Sequence, residues 1–147
     1  MAKVKSVKFY NFTQIENDKN INIFAKFYNA YGKLVILDFS NPISHTAGTF
    51  CETTECIVTA SEYQGRPYHE SFCSFHTGNY NKEIGLNRIG CCWMNGTTTD
   101  YSKKFLKIEF KIPQYFSDIR IMHSTFYTTY TRGFNTCDYD VRYENGT

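Results

Sequence analysis

The cysteines and histidines are the side chains of this sequence whose types and spacing most obviously suit chemistry. Six cysteines and four histidines occur in 147 residues, and His69, Cys73 and His76 follow one another closely, with Cys51 or Cys56 as a further soft ligand. Zinc prefers thiolate and imidazole ligands, so a zinc site is one interpretation. The order lacks a second tight cysteine pair, and free buried thiols are the simpler expectation without a secretory leader. The sequence therefore predicts no metal site.

Nucleophilic or acid–base catalysis would require other patterns. The sequence contains no G-x-S-x-G elbow, no phosphate-binding P-loop, no H-E-x-x-H and no G-x-G-x-x-G. Glu52 and Glu55 form a carboxylate pair, but no histidine lies beside them to give the two groups different protonation states. We therefore expect a protein that is not an enzyme, with a hydrolase built from scattered residues as the alternative.

Charge and hydropathy narrow the classes of partner. Lysine and arginine number 16 against 14 acidic residues, and a net charge of +2 is too balanced to indicate a nucleic-acid surface. No apolar run approaches the roughly 18 residues of a membrane span. Residues 1–5 lead directly into an alternating segment, without the apolar core of a signal peptide. We expect no nucleic acid, no membrane span, and a virion or cytoplasmic location rather than classical secretion.

Strands are the elements that must position any site in this chain. Aromatic residues make up 18% of the sequence, and aromatic side chains favour strands. Residues 105–112 alternate strictly between apolar and charged side chains, the pattern of a half-buried strand, and Pro113 ends the run. Residues 21–27, 117–123 and 137–143 alternate in the same way. No stretch keeps a helical pattern beyond about two turns.

The interior of the sequence has a different composition. From Ser40 to Asn95 it is rich in Ser, Thr, Gly, Asn and Cys, and its one short strand candidate covers residues 56–60. Long non-periodic stretches within a compact domain are usually functional loops. We predict one domain over residues 1–147 with about eight strands, an all-β sandwich or jelly roll.

Short motifs occur in a fixed order between residues 21 and 143. Residues 25–35 (AKFYNAYGKLV) precede a strand end that runs into a loop at residues 58–68 (VTASEYQGRPY), followed by residues 74–79 (SFHTGN) and 92–96 (CWMNG). Two strands at residues 105–113 (FLKIEFKIP) and 116–121 (FSDIRI) lead to a closing hairpin at residues 131–141 (TRGFNTCDYDV). In this order the motifs resemble the discoidin-like, or coagulation factor 5/8 type C, domain family, nearest in style to bacterial and phage-tail versions.

The resemblance implies a galactose-binding-like β-sandwich of jelly-roll type whose loops at one end bind glycans, lipid head groups or proteins. A sugar needs a flat aromatic ring for its apolar face and polar side chains for its hydroxyls. The residues in or beside these loops that the resemblance marks as ligand-binding are Tyr63, Tyr68, His69, Trp93, Asn95 and Arg132. Five of them have a structural alternative: Trp93 as a core anchor, Arg132 as a tie for the last hairpin, His69 as a hydrogen-bonded loop histidine, and the two tyrosines as a cover over the sandwich end.

Calcium is the cofactor that the resemblance to this family brings into consideration. Many members of the family hold it with a cluster of carboxylates and carbonyls, because calcium favours hard oxygen ligands. Where the family often has Asp before Gly, this chain has Thr77 before Gly78. We therefore expect no cofactor, with calcium held by backbone carbonyls and Asp38 or Asp100 as the alternative.

These observations together predict a non-catalytic binding module. Its expected ligand is a glycan or cell-surface polysaccharide, as the resemblance implies. The sequence shows neither a signal peptide nor a catalytic domain beside the module, so we expect attachment to other proteins of a larger assembly, such as a phage virion or tail. The alternative is a purely structural or scaffolding protein that binds no sugar.

Overall fold

Two antiparallel sheets form the fold, as a computed structural model shows for residues 2–13, 21–63, 65, 70–77, 93–94, 103–122 and 136–146. These residues contain nine strands and a one-turn 3-10 helix, which confirms the predicted all-β class. The strands are β1 (Val4–Thr13), β2 (Asn22–Asn29), β3 (Ser44–Thr46), β4 (Phe50–Glu52), β5 (Cys56–Ala60), β6 (Trp93–Met94), β7 (Phe105–Gln114), β8 (Phe116–Met122) and β9 (Thr136–Tyr143), and the 3-10 helix is Ser71–Ser74.

The larger sheet has the order β3-β4-β5-β7-β1-β9, and the smaller has the order β6-β2-β8. In the larger sheet the register aligns Val58 with Ile108, Ile108 with Val7, and Val7 with Val141. Side chains of a strand alternate between its two faces, so these four lie in one row on the face that looks towards the smaller sheet. This row explains the strict alternation of the sequence around Ile108.

The core lies between the two sheets. Phe27 of β2 packs edge-on against Phe110 of β7, with 5.4 Å between ring centroids, and Phe12 of β1 packs against Trp93 of β6 at 5.8 Å. Phe75, which directly follows the 3-10 helix, stacks on Phe27 at 6.1 Å. The predicted apolar face of β2 is confirmed, because Ile21, Ile23, Ala25 and Phe27 are all buried.

β1 carries the irregularities of its pairing with β9. Val4 and Ser6 of β1 oppose the adjacent residues Tyr143 and Arg142 of β9, and a second shift separates Tyr10 from Thr13. Asn11, which lies within that second shift, has a φ of 52°. An extra residue in one strand of a pair bends that strand and leaves its partner regular. β9 is therefore the regular member of the pair.

The interior stretch departs from the sequence-based expectation. It contains β3, β4 and β6 as well as the predicted β5, together with the 3-10 helix. After β2 the chain turns at Gly32, which has a φ of 76°, and Leu34 then forms a bridge with Tyr28. Within the described part of the chain, no helix has the length and apolar character to cross a membrane.

Candidate functional site

A groove of about 580 Å³ runs along β1, β8 and β9. It forms because the six-stranded sheet is wider than the three-stranded sheet, so β9 extends beyond β8 and its inner face is only partly covered. Val7, Phe9 and Val141 line it from the larger sheet, and Ile119 and Ile121 line it from β8. The body of the groove is therefore apolar.

Polar and aromatic groups surround this apolar body. Tyr139 also lines the groove and is 65% exposed, while Tyr143 beside it is half-buried. From β8 comes Ser117, whose hydroxyl donates to the backbone oxygen of Asn29 at 2.6 Å. Asp118 also lines the groove, but its exposed carboxylate lies on the outer face of β8, because side chains alternate along a strand. The arrangement offers an aromatic face next to groups that can bond hydroxyls.

The Asp118 carboxylate accepts a hydrogen bond from Arg120 Nε at 3.0 Å. This hydrogen bond is the main reason that the pKa of Arg120 is raised above its ordinary value. Arg120 therefore stays charged, and the pair presents both signs at the edge of β8. Such a pair suits hydrogen bonding and orientation of a ligand.

Trp93 lies in the core and has no exposed surface. Its indole Nε1 donates to the backbone oxygen of Glu62 at 2.7 Å, and its backbone N–H donates to the Ser74 hydroxyl at 2.9 Å. A ring in this position presents no face to a sugar. The structure thus matches the alternative role that the sequence left open for Trp93, that of a core anchor.

Tyr63 is half-buried and packs against the edge of the core. Its ring lies on the backbone of Gly48, where any side chain would overlap it, and Gly48 has a φ of 84°. The residue before Tyr63 is Glu62, whose backbone oxygen accepts the hydrogen bond from the Trp93 indole. The other four predicted ligand-binding residues, Tyr68, His69, Asn95 and Arg132, lie outside the described residues.

A buried carboxylate, Glu70, forms a cluster that the sequence did not reveal. One oxygen of Glu70 accepts hydrogen bonds from the backbone N–H of Gly48 and from His45 Nε2, the latter at 2.8 Å. The backbone N–H of Ser71 in turn donates to the Gly48 oxygen at 3.1 Å. The cluster ties the β3–β4 turn to the start of the 3-10 helix. His45 and Glu70 are 25 residues apart in sequence, and no local pattern connects them.

The cysteines of the described residues are free thiols. Cys51, Cys56 and Cys73 are buried, as the sequence predicts for free thiols, and Cys137 is half-buried. Cys91 and Cys92 lie outside the described residues. Burial raises the pKa of Cys51 to about 12. Burial is also the largest cause of the raised pKa of Cys56, which is about 11. Both thiols are therefore protonated at neutral pH.

Metal ligands are not grouped in the part of the chain that the structure describes, where no three His, Cys, Asp or Glu side chains are placed to hold an ion. His76 Nδ1 accepts the backbone N–H of Phe39 at 3.2 Å. The Asp38 carboxylate accepts hydrogen bonds from the hydroxyl and backbone N–H of Ser40, which lower its pKa. The remaining members of the alternative zinc and calcium sets, His69 and Asp100, lie outside the described residues.

The groove is a candidate site among the described residues, and the predicted loop residues stay a prediction. The groove combines an exposed ring with apolar side chains on two strands that the sequence predicts from their alternation. No protein-family model, no curated protein and no solved structure matches this chain.

Proposed function

We propose that this chain is a non-catalytic, glycan-binding module of the galactose-binding-like jelly-roll type, attached to a larger assembly such as a phage virion or tail. The observation that carries the proposal is the groove, where the exposed ring of Tyr139 lies beside apolar side chains of β8 and β9. The ligand class is a glycan or a cell-surface polysaccharide.

The chemistry of the groove suits a sugar. The apolar C–H face of a pyranose packs on an aromatic ring, and Tyr139 offers such a ring to solvent. Sugar hydroxyls also need polar partners, and the Ser117 hydroxyl, which donates to the backbone oxygen of Asn29, can accept a hydrogen bond from one of them. The volume of about 580 Å³ falls within the range of about 300–1,000 Å³ that ligand sites occupy.

Binding without hydrolysis fits the acid–base groups of the groove. A retaining glycosidase usually places two carboxyl groups about 5–5.5 Å apart, one as acid and the other as nucleophile. Among the described lining residues Asp118 is the one carboxylate, and its partner is the cation Arg120. The groove therefore supports recognition of a sugar better than cleavage of one.

The predicted loop residues extend this proposal beyond the groove. Tyr63, Tyr68, His69, Asn95 and Arg132 stay predicted ligand contacts, and the ring of Tyr63 is only half-buried. A polysaccharide is long enough to contact both a groove and a loop. The core position of Trp93 removes that ring from the set of proposed stacking platforms.

A glycan array tests the proposal with three chains. The native protein should bind a subset of sugars, and Tyr139→Ala should weaken that binding about tenfold because the stacking surface is lost. Tyr31→Ala is the matched control, since Tyr31 is 88% exposed and is absent from the groove lining. Equal signals across all sugars, or equal losses in the two variants, would contradict the proposal.

A purely structural role is the second candidate function. The observation that favours it is the exposure of large apolar side chains, with Ile112 at 76% and Ile36 and Ile43 also well exposed. Exposed apolar groups often mark surfaces that another protein covers. Under this alternative the array shows no bound sugar while light scattering shows the chain in an assembly; a sugar-binding monomer contradicts it.

A further inference from the structure

The walls of the groove are apolar on both sides. Ile119 and Ile121 of β8 and Val141 of β9 line it and are half-buried, so part of each side chain is open to a ligand. A hydroxyl buried against such side chains loses its hydrogen bonds to water and gains none, whereas a methyl group placed there leaves water favourably. The walls therefore favour a ligand that turns a methyl group towards them.

Hydrogen-bonding groups are supplied by the strand edges. The groove lies between β8, an edge strand of the smaller sheet, and β9, an edge strand of the larger sheet. Among the described residues each of these strands is paired on one side only, so its other edge presents backbone N–H and C=O groups. The hydroxyls of Ser117, Tyr139 and Tyr143 add side-chain partners. A sugar can therefore bond through its hydroxyls at the edges while a methyl group meets the apolar walls.

Charge restricts the ligand further. The described lining residues include no lysine, arginine or histidine, and the one charged side chain among them is Asp118, on the outer face of β8. Arg120 is already bonded to that carboxylate at 3.0 Å. A carboxylate or sulfate on a sugar would meet no lining cation, and an unpaired anion removed from water is unfavourable. The groove therefore favours a neutral sugar over an acidic one.

We propose that the groove binds a neutral sugar that carries a methyl group, with the methyl group packed against Val141 and the isoleucines of β8. This group is the carbon-6 methyl of a 6-deoxyhexose or the methyl of an acetyl substituent, which offer the walls the same chemistry. The inference rests on the proposed function, because it names the class of glycan that this site takes. Stacking on Tyr139 alone would suit any pyranose with an apolar face.

Matched pairs of sugars test the proposal in backbone amide NMR titrations of the native chain. L-rhamnose and L-mannose differ only by the hydroxyl at carbon 6, as do D-fucose and D-galactose, while N-acetylglucosamine and glucose compare an acetyl group with a hydroxyl. In at least one pair the methyl-bearing sugar should bind about tenfold more tightly. The pair that shows the preference identifies the source of the methyl group. Galacturonic acid should bind more weakly than galactose.

Val141→Thr alters the chemistry of the wall and keeps its size. Threonine replaces one methyl group of the wall with a hydroxyl, which can bond the hydroxyl of the unmodified sugar. The preference for the methyl-bearing sugar should therefore fall by about threefold or more. Val35→Thr is the matched control, since Val35 is also half-buried but does not line the groove, and it should keep the native preference.

Tyr139→Ala separates recognition of the methyl group from stacking. The ring contacts a face that both members of a sugar pair share, so the variant should weaken both by a similar factor and leave their ratio unchanged.

The outcomes distinguish this proposal from the proposed function. Sugar binding without preference for the methyl-bearing members, or a preference that Val141→Thr leaves intact, overturns this proposal while the glycan-binding function stands. Failure of every sugar to bind contradicts the proposed function, and this proposal with it. If Val141→Thr proves unfolded by circular dichroism, the sugar pairs measured on the native chain still decide the matter.

Discussion

Burial decides what Trp93, the single tryptophan, does in this protein. Its ring packs on Phe12 and its indole N–H is bonded to the backbone of Glu62. We expect blue-shifted fluorescence that acrylamide and iodide barely quench, and no change in emission when a sugar is added, because the ring contacts neither water nor ligand. Trp93→Ala should cost about 3–5 kcal/mol of stability in a denaturant titration. Strong quenching in the folded protein would place the ring at the surface and contradict this assignment.

The buried thiols make a second prediction at the scale of single residues. Iodoacetamide at pH 8 should leave Cys51 and Cys56 unmodified until denaturant is added, since thiolates react and the pKa values of these thiols are about 12 and 11. Cys137 should be the first of the four described cysteines to be labelled, because it is only half-buried. Peptide mass spectrometry reads out each site, and rapid labelling of Cys51 would be inconsistent with its burial.

The same thiols make stability depend on pH in the alkaline range. Their pKa values lie above the ordinary value of 9.0, so the unfolded chain loses these protons before the folded chain does. Their contribution to stability is complete below pH 9 and is lost as the pH rises from there towards 11 and 12. Urea titrations at about pH 8 and about pH 10 should show the lower free energy of unfolding at the higher pH, and Cys51→Ser/Cys56→Ser should reduce that difference.

At the scale of elements, the β3–β4 turn depends on Gly48. An alanine there would meet the Tyr63 ring as well as an unfavourable φ of 84°. Gly32→Ala is the matched control, because Gly32 has a φ of 76° with nothing within 4 Å of the added atom. Urea denaturation should show Gly48→Ala to be the less stable by about 2 kcal/mol. Adding Tyr63→Ala should recover part of that loss, whereas equal effects of the two glycine changes would mean that the overlap is relieved at no cost.

Long strands with one buried face could be predicted from the sequence, and the three-residue strands β3 and β4 could not. β7 and β9 alternate because one face of each packs towards the core, and this alternation is visible in the sequence. β3 exposes all three of its residues and carries no such pattern, so its sequence does not distinguish it from a loop.

Part of the candidate site could not be predicted from the sequence, for a different reason. Its walls, β8 and β9, were predicted as strands, but the groove results from the unequal widths of two sheets, a property of strand order. Likewise, alternation placed Tyr139 on the core face of β9, whereas its 65% exposure follows from the lack of cover by β8.

For the whole molecule, the proposed sugar site requires that the Tyr139 ring, which is 65% exposed, stays open to solvent.

The most direct measurement of the central proposal is a backbone amide NMR titration of the native chain with the strongest oligosaccharide from the array. The account predicts that the shifted amides cluster at Ser117–Ile121 and Tyr139–Tyr143, the two strands that flank the groove, with Tyr31 unaffected. A titration in which no oligosaccharide moves these amides, or in which the shifts are confined to Tyr63 and its neighbours, would contradict the assignment of the groove as the sugar site.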